Sequence, residues 1–198
     1  MLIVVLLVVV FAAVAIGAVV QQYRVRAARV RALTALAARI GFTFSAADVD
    51  HVVDLPFGIF KQGNKRAVEN VVSGTHEGVP LRLFDYWYYV SDGRSGHYRR
   101  FTCALATVAI ACPELRIGHE NALTRLGGDF GIRDIEFEYD DFNRRFRVKC
   151  GDQKFAFSLL DGKMMQWLLG ADAFQSVDIV GPSILVVTAR TAPARWLG

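Results

Sequence analysis

The stretch PLRLFDYWYYVSDGRSGHYRRFTCALATVAI, residues 80–110, decides the fold of this chain. Two long runs rich in aromatic and β-branched residues flank SDGRSG, which has the composition of a turn. This pattern predicts an antiparallel β-hairpin. Two more strand-like runs, FTFSA and RAVENVVSGT, lie upstream, and His76-Glu77-Gly78 separates the second of them from the hairpin. The centre of the chain therefore predicts an antiparallel meander.

The first 20 residues, MLIVVLLVVVFAAVAIGAVV, contain no charged or polar side chain. About 20 apolar residues cross the hydrocarbon core of a bilayer, so residues 1–20 predict a transmembrane helix. Lys and Arg favour the cytoplasmic side of a span, and a cluster of arginines follows this one. We therefore expect a single-pass inner-membrane protein with its N-terminus outside and residues 21–198 in the cytoplasm. An A-x-A pattern at Ala13–Ala15 leaves signal cleavage as an alternative. The flanking cations are Arg24, Arg26, Arg29 and Arg31.

Residues 21–41 predict a juxtamembrane basic helix. Its apolar residues recur at helical spacing and would dock its last turns on a domain, and Gly41 supplies a stop. The arginines spread around the helix, so this segment does not resemble a helix that lies flat on a membrane. Residues 42–190 then predict a soluble domain and residues 191–198 a tail. The apolar stripe consists of Leu33, Leu36, Ala37 and Ile40.

The excess of positive charge is confined to the membrane flank. The chain has 23 Lys and Arg against 19 Asp and Glu, and five arginines but no acid lie between residues 21 and 47. Beyond residue 47 the domain keeps 18 cations against the 19 acids, which argues against a nucleic-acid partner. The expected partners are the lipid bilayer, anionic lipid headgroups attracted to the arginine flank, and a protein.

The sequence predicts no catalytic residue, no cofactor and no metal site. Cys103, Cys112 and Cys150 lack metal-ligand spacing, and we expect buried, reduced thiols. HExxH and GxSxG motifs are absent, and the glycines at 127, 128 and 131 do not match a nucleotide-binding loop. A Ser, His and Asp brought together from distant positions would leave a hydrolase as an alternative.

Asp85 is the most suggestive acid, because it interrupts an aromatic run where a carboxylate is rarely buried without a partner. Folding the hairpin about SDGRSG places it near Thr102–Cys103 and diagonal to Arg100. We predict a structural Asp85–Arg100 pair, with a ligand-binding or catalytic carboxylate as the alternative.

The stretch IEFEYDDFNRRFRVK, residues 135–149, predicts a second hairpin. Folded about Asp141–Asn143, it would place its acids opposite its cations and its apolar residues on the other face, which favours paired strands over a phosphate site. A helical DDFNRRF is the alternative. The expected charge pairs are Asp140 with Arg145, Glu138 with Arg147, and Glu136 with Lys149.

The C-terminal third adds helices to the sheet. Residues 152–171, DQKFAFSLLDGKMMQWLLGA, predict two short helices, or one kinked at Asp161-Gly162, with Trp167 in the core. Residues 120–131 predict a short helix with a glycine-rich connection, and residues 176–190 a closing hairpin that turns at Gly181-Pro182. The fold class expected is α+β: an N-terminal transmembrane helix followed by an antiparallel-sheet domain with short helices packed on it.

The runs FDY (84–86) and FNRRFRVKCGDQKFAFSLLDGKMMQWLLG (142–170) resemble a bacterial, actinobacterial-type family catalogued as a domain of unknown function. The resemblance covers about half of the chain and implies a membrane-associated α+β domain without known catalytic residues. We therefore expect a membrane-tethered cytoplasmic interaction or sensory module that is not catalytic. A membrane-bound hydrolase and an anionic-lipid-binding regulator are the alternatives, and the regulator would show an exposed basic or apolar face continuous with the arginine flank.

Overall fold

The computed structural model describes residues 24–91, 93, 95–119 and 133–189. Its centre is a seven-stranded antiparallel sheet accompanied by a few helices, so the predicted antiparallel α+β domain is confirmed. The strands are β1 (Thr43–Ala47), β2 (Lys65–His76), β3 (Val79–Ser91), β4 (Gly96–Gly118), β5 (Arg133–Ile135), β6 (Arg147–Cys150) and β7 (Phe174–Ala189). The helices are α1 (residues 24–40), α2 (Asp140–Arg145), α3 (Gln153–Leu159) and α4 (Gly162–Gly170).

Within these described ranges, no helix is long and apolar enough to cross a membrane. The transmembrane segment predicted for residues 1–20 lies outside the described residues. The predicted helix at 120–131 and the predicted tail at 191–198 lie outside them as well.

The long strand β4 organises the sheet. Its first half pairs with β3 along one edge, and its last residues pair with β6 along the same edge. Strand β7 follows the opposite edge, with two register shifts between Thr107 and Leu115. Pro113 lies inside this irregular stretch, where a missing backbone N–H breaks no regular ladder. Proline often ends a strand, but β4 continues through Pro113 to Gly118.

The hairpin expected at Gly181-Pro182 is wrong, because β7 runs without reversal from Phe174 to Ala189. Gly181 adopts φ +57° and pairs with Cys112, between the two register shifts. A single left-handed residue opposite an irregular partner bends a strand, whereas a two-residue hairpin turn reverses it.

Two hydrophobic cores form on this bent sheet. The first lies under β2, β3 and β4, and two short 3₁₀ turns at Val52–Asp54 and Gly58–Lys61 close it with aromatic side chains. The second lies between the far half of the sheet and helices α2, α3 and α4. Fully buried members of the first core include Phe57, Phe60, Phe84 and Tyr86, and those of the second include Leu115, Phe142, Leu168 and Phe174.

The hairpin predicted at residues 135–149 is corrected in its turn and register. Strands β5 and β6 do pair antiparallel, but Ile135 faces Val148, and α2 occupies the place of the predicted turn. Lys149 therefore lies opposite Asp134, and the predicted partners Glu136, Glu138 and Asp140 lie beyond the end of the ladder. A shift of two residues keeps every side chain on its own face, so the apolar face is buried as expected.

The two C-terminal helices form as predicted, and Asp152 and Asp161 cap them by accepting hydrogen bonds from Phe155 N and Met164 N. The expectation that Trp167 lies in the core is wrong. Its side chain is 60 % exposed, while its neighbour Leu168 faces the core at 1 % exposure.

Candidate functional site

The carboxylate of Asp85 is the centre of a buried polar cluster that joins α1 to the sheet. Asp85 is 1 % exposed, and side chains from three different elements donate to it. The guanidinium of Arg29 donates from Nη2 to Oδ1 at 2.8 Å and from Nε to Oδ2 at 3.3 Å. Asn70 Nδ2 donates to Oδ2 at 3.0 Å, and Thr102 Oγ1 donates to Oδ1 at 3.3 Å. We call these four residues the Asp85 cluster.

Strand alternation explains why this acid points away from the first core. Its neighbours Phe84 and Tyr86 are core residues, and successive side chains on a strand point to opposite faces. Asp85 therefore lies on the face that α1 covers, opposite Glu69 on β2 and Thr102 on β4.

A β-bulge brings Asn70 into the cluster. The register of β2 and β3 shifts between Glu69 and Val72, and Asn70 has a φ of +56°. Asn tolerates this left-handed conformation better than most residues. The bulge aims the Asn70 amide at Asp85 and keeps both Val68 and Val71 in the core.

Helix α1 carries its arginines in two different environments. Arg29 belongs to the stripe that faces the sheet, together with the partly buried Leu33 and Leu36 and the buried Ala37. Ile40, the fourth residue of the predicted stripe, is 42 % exposed. The remaining flank arginines, Arg24, Arg26 and Arg31, are exposed to solvent.

The predicted Asp85–Arg100 pair is not the one the structure forms. Arg100 lies opposite Trp87, one same-face position along from Asp85, and its guanidinium lies over the ring of Tyr98 at 5.6 Å. The charge partner of Asp85 is Arg29, 56 residues earlier in the chain. Strand register alone could not indicate Arg29, because the docking of a distant helix sets this contact.

Both oxygens of Asp85 are engaged, which limits what the group can do chemically. A carboxylate has about four lone-pair directions, and four donor atoms of the cluster point at it. A general base needs a free lone pair within reach of a substrate proton. The arrangement is therefore suited to fixing α1 on the sheet.

A second buried acid, Asp178, lies across β4 from Lys149. Asp178 and Lys149 both pair with Arg116, from opposite sides of the strand. Arg116 Nε lies 3.4 Å from Asp178 Oδ1, and Ser176 Oγ donates to Asp178 Oδ2 at 3.2 Å. Burial raises the pKa of Asp178 to about 6, although Arg116 and Ser176 act in the opposite direction.

Among the described residues, neither the cysteines nor the other side chains that commonly bind metals form a reactive site. Cys103 and Cys150 are buried, and burial raises the pKa of both, so these groups stay protonated. Cys112 is partly exposed. Across the described part of the chain, no three His, Cys, Asp or Glu side chains are grouped to hold a metal ion.

Asn70 was not predicted as a partner of Asp85, although the sequence around it contains a signal. In VENVV, residues 68–72, the apolar positions skip from Val68 to Val71, which breaks the alternation of a regular strand. Such a skip indicates one extra residue, and the structure places the bulge there.

Comparison with known proteins shows a similarity at the level of the fold. No protein-family model matches this chain, and no curated protein matches it. The crystal structure of the mycobacterial trehalose monomycolate transport factor A, TtfA, superposes on it with a TM-score of 0.56 and 15 % sequence identity. The match covers 84 % of this chain and 85 % of that chain. At this identity the comparison shows a shared fold.

Proposed function

We propose that this chain is a non-catalytic module tethered to the bacterial inner membrane, where it holds a partner of a lipid-transport system at the cytoplasmic surface. The Asp85 cluster is the observation that carries the proposal. Its Arg29 belongs to the helix that follows the predicted span, and its other three residues belong to three neighbouring strands. The bridge therefore gives the domain a fixed orientation on its tether.

The chain length bounds how far the sheet lies from the predicted span. Residues 20 to 24 cover at most about 14 Å when fully extended. The helical residues 24 to 29 add about 8 Å. The backbone of Arg29 therefore lies within about 22 Å of the end of the predicted span, which supports a domain held close to the bilayer.

The lipid-transport part of the proposal is supported by the fold. TtfA is described as a trehalose monomycolate transport factor, and the structural match with it covers most of both chains. Saturation of Asp85 by structural donors fits a role that needs no catalytic carboxylate. Membership of the bacterial family of unknown function, which the sequence resembles, is a prediction.

Depletion of the protein in its own bacterium tests this function. We expect newly labelled envelope lipid to accumulate in the inner membrane, and wild-type protein to restore its onward transfer. Arg31→Gln should restore transfer as well, because Arg31 is exposed and its Nε contacts only the neighbouring carbonyl of Ala27 among the described contacts. Arg29→Gln should fail to restore it at equal protein level. Unchanged lipid transfer after depletion would contradict the proposal.

Reporter fusions test the proposed topology separately. A C-terminal fusion should be active only with a reporter that requires the cytoplasm, because the arginine flank holds that side of the span inside. Efficient alkaline phosphatase activity of such a fusion in the periplasm would reverse the orientation.

A further inference from the structure

The end of the β3–β4 hairpin carries an aromatic and basic cluster on the face that α1 covers. Trp87 and Tyr98 meet edge to face with ring centroids 5.4 Å apart, and Tyr89 and Tyr98 lie 5.0 Å apart. The guanidinium of Arg100 lies over Tyr98, which is 56 % exposed. We call these four residues the hairpin cluster.

The core does not account for these rings. Tyr86 and Tyr88, on the opposite face of the same strand, belong to the first core. Trp87 and Tyr89 are only partly buried, and Trp87 Nε1 donates to Glu69 Oε1 at 2.6 Å. Gly96 lies directly beneath Tyr89, where a Cβ would come within 1.9 Å of the Tyr89 hydroxyl. The hairpin end is therefore built to present aromatic rings.

Helix α1 runs with its N-terminal end, which follows the predicted tether, towards the hairpin cluster. The C-terminal end of α1 lies beside the start of β3, because Phe42 packs on Gly74 and Thr43 pairs with Ser73. Gly74 and Ser73 pair with Leu81 and Arg82, whereas Arg29 reaches Asp85. Towards its N-terminus, α1 thus runs towards the hairpin end.

The remaining length of α1 brings the tether to the level of the cluster. From residue 29 to residue 24 the helix rises about 8 Å. From Asp85 to Trp87 the strand advances about 7 Å on the same face. The exposed Arg24 and Arg26 therefore belong to the same end of the domain as the hairpin cluster.

Charge at this end complements an anionic surface. The described residues within 61–69 and 86–100 include five Lys and Arg and one acid, although the domain beyond residue 47 is nearly neutral. Lys65 pairs with Tyr89 and so shares the face of the cluster. Trp and Tyr rings beside Lys and Arg are typical of the membrane–water interface, where the rings enter the headgroup region and the cations meet lipid phosphates.

We propose that the hairpin cluster docks on the anionic surface of the bilayer, as a second membrane contact beside the tether. This inference rests on the proposed membrane tether. Docking would set the sheet upright against the bilayer, with the hairpin end in the headgroup layer and α3 and α4 away from it.

Single-tryptophan variants of the full chain, reconstituted into vesicles, test the docking. The chain has three tryptophans, so Trp167→Phe with Trp196→Phe leaves Trp87, and Trp87→Phe with Trp196→Phe leaves the exposed Trp167 as the matched control. In vesicles of phosphatidylcholine and phosphatidylglycerol with brominated acyl chains, we expect strong quenching of Trp87 and little quenching of Trp167. Pure phosphatidylcholine should reduce the quenching of Trp87.

Charge removal provides the second arm. Lys65→Gln with Arg100→Gln should lower the docking equilibrium constant about thirtyfold and so reduce the quenching of Trp87. Lys154→Gln with Lys163→Gln removes the same charge from exposed positions on α3 and α4 and should leave the quenching of Trp87 unchanged.

Flotation with the vesicles separates the two possible failures. Chains that float but leave Trp87 unquenched, or that quench Trp167 more strongly, would overturn the docking and leave the tether intact. Chains that do not float would overturn the tether, and the docking inference with it.

Discussion

The carboxyl group of Asp178 is buried. Its burial makes the free energy of unfolding depend on pH. Its ordinary pKa of 3.8 rises to about 6 in the folded chain, mainly because burial disfavours the charged form. The folded chain therefore holds this proton more tightly than the unfolded chain does. The contribution to stability is full below about pH 4 and is lost as the pH rises to about 6, at a cost of about 3 kcal/mol.

We predict that Asp178→Asn removes this fall in stability between pH 4 and pH 6. The measurement is urea unfolding of the full chain in a mild detergent, followed by tryptophan fluorescence at several pH values. Asp172→Asn changes an acid whose side chain is 99 % exposed and should keep the wild-type slope. An equal slope in Asp178→Asn and the wild type would assign the pH dependence to other groups.

Only part of the Asp85 cluster could be predicted from the sequence. Asp85 was singled out because an acid among aromatics needs partners, and the structure supplies them. Thr102 followed from the hairpin register, and it is one of the donors. Arg29 was visible only as a membrane-flank cation, since no local pattern links a helix residue to a strand far along the chain.

Helix α4 places an exposed Trp ring at position 167 and a buried leucine side chain at the next position. We predict that Trp167→Ala changes the free energy of unfolding by less than about 1 kcal/mol, because little apolar surface is lost from the core. Leu168→Ala should destabilise by about 2–5 kcal/mol through lost transfer energy and the cavity left behind. Denaturant unfolding of both variants measures the contrast, and a larger loss for Trp167→Ala would contradict the placement of α4.

Strands β5 and β6 make a similar contrast between charge pairs. Asp134 and Lys149 face each other across the ladder, so a double-mutant cycle should give a coupling of a few tenths to about 1 kcal/mol. Glu138 lies beyond the ladder, and its coupling with Arg147 should be near zero. A coupling energy for Glu138 and Arg147 larger than that for Asp134 and Lys149 would contradict the observed register and favour the predicted hairpin without α2.

The residues of α2 explain why the pattern was open to two interpretations. A hairpin and a helix both bury Ile135 and Val148, so the alternation could not choose between them. Phe142 decides the matter, because it is fully buried in the helix and would lie in the exposed turn of the hairpin. An apolar ring in a proposed turn was therefore a signal against that turn.

At the scale of the whole molecule, local patterns predicted the sheet better than its connections. Turn residues and aromatic runs were enough to predict the strands β2, β3 and the start of β4, and the predicted hairpin register placed Asp85 beside Thr102 as the structure does. The irregular backbone at Gly181 was mistaken for a hairpin turn, since a bulge and a turn use the same residue types. How β7 and α1 pack on the sheet depends on long-range contacts.

The central claim is that Arg29 and Asp85 fix the juxtamembrane helix on the sheet. Hydrogen–deuterium exchange of the full chain in lipid nanodiscs tests it directly. In Arg29→Gln, the loss of a charged hydrogen-bonded pair worth about 2 kcal/mol should speed amide exchange in the sheet-docked residues 30–40 about thirtyfold. Arg31→Gln should exchange as the wild type does. Equal protection of α1 in both variants would contradict the claim.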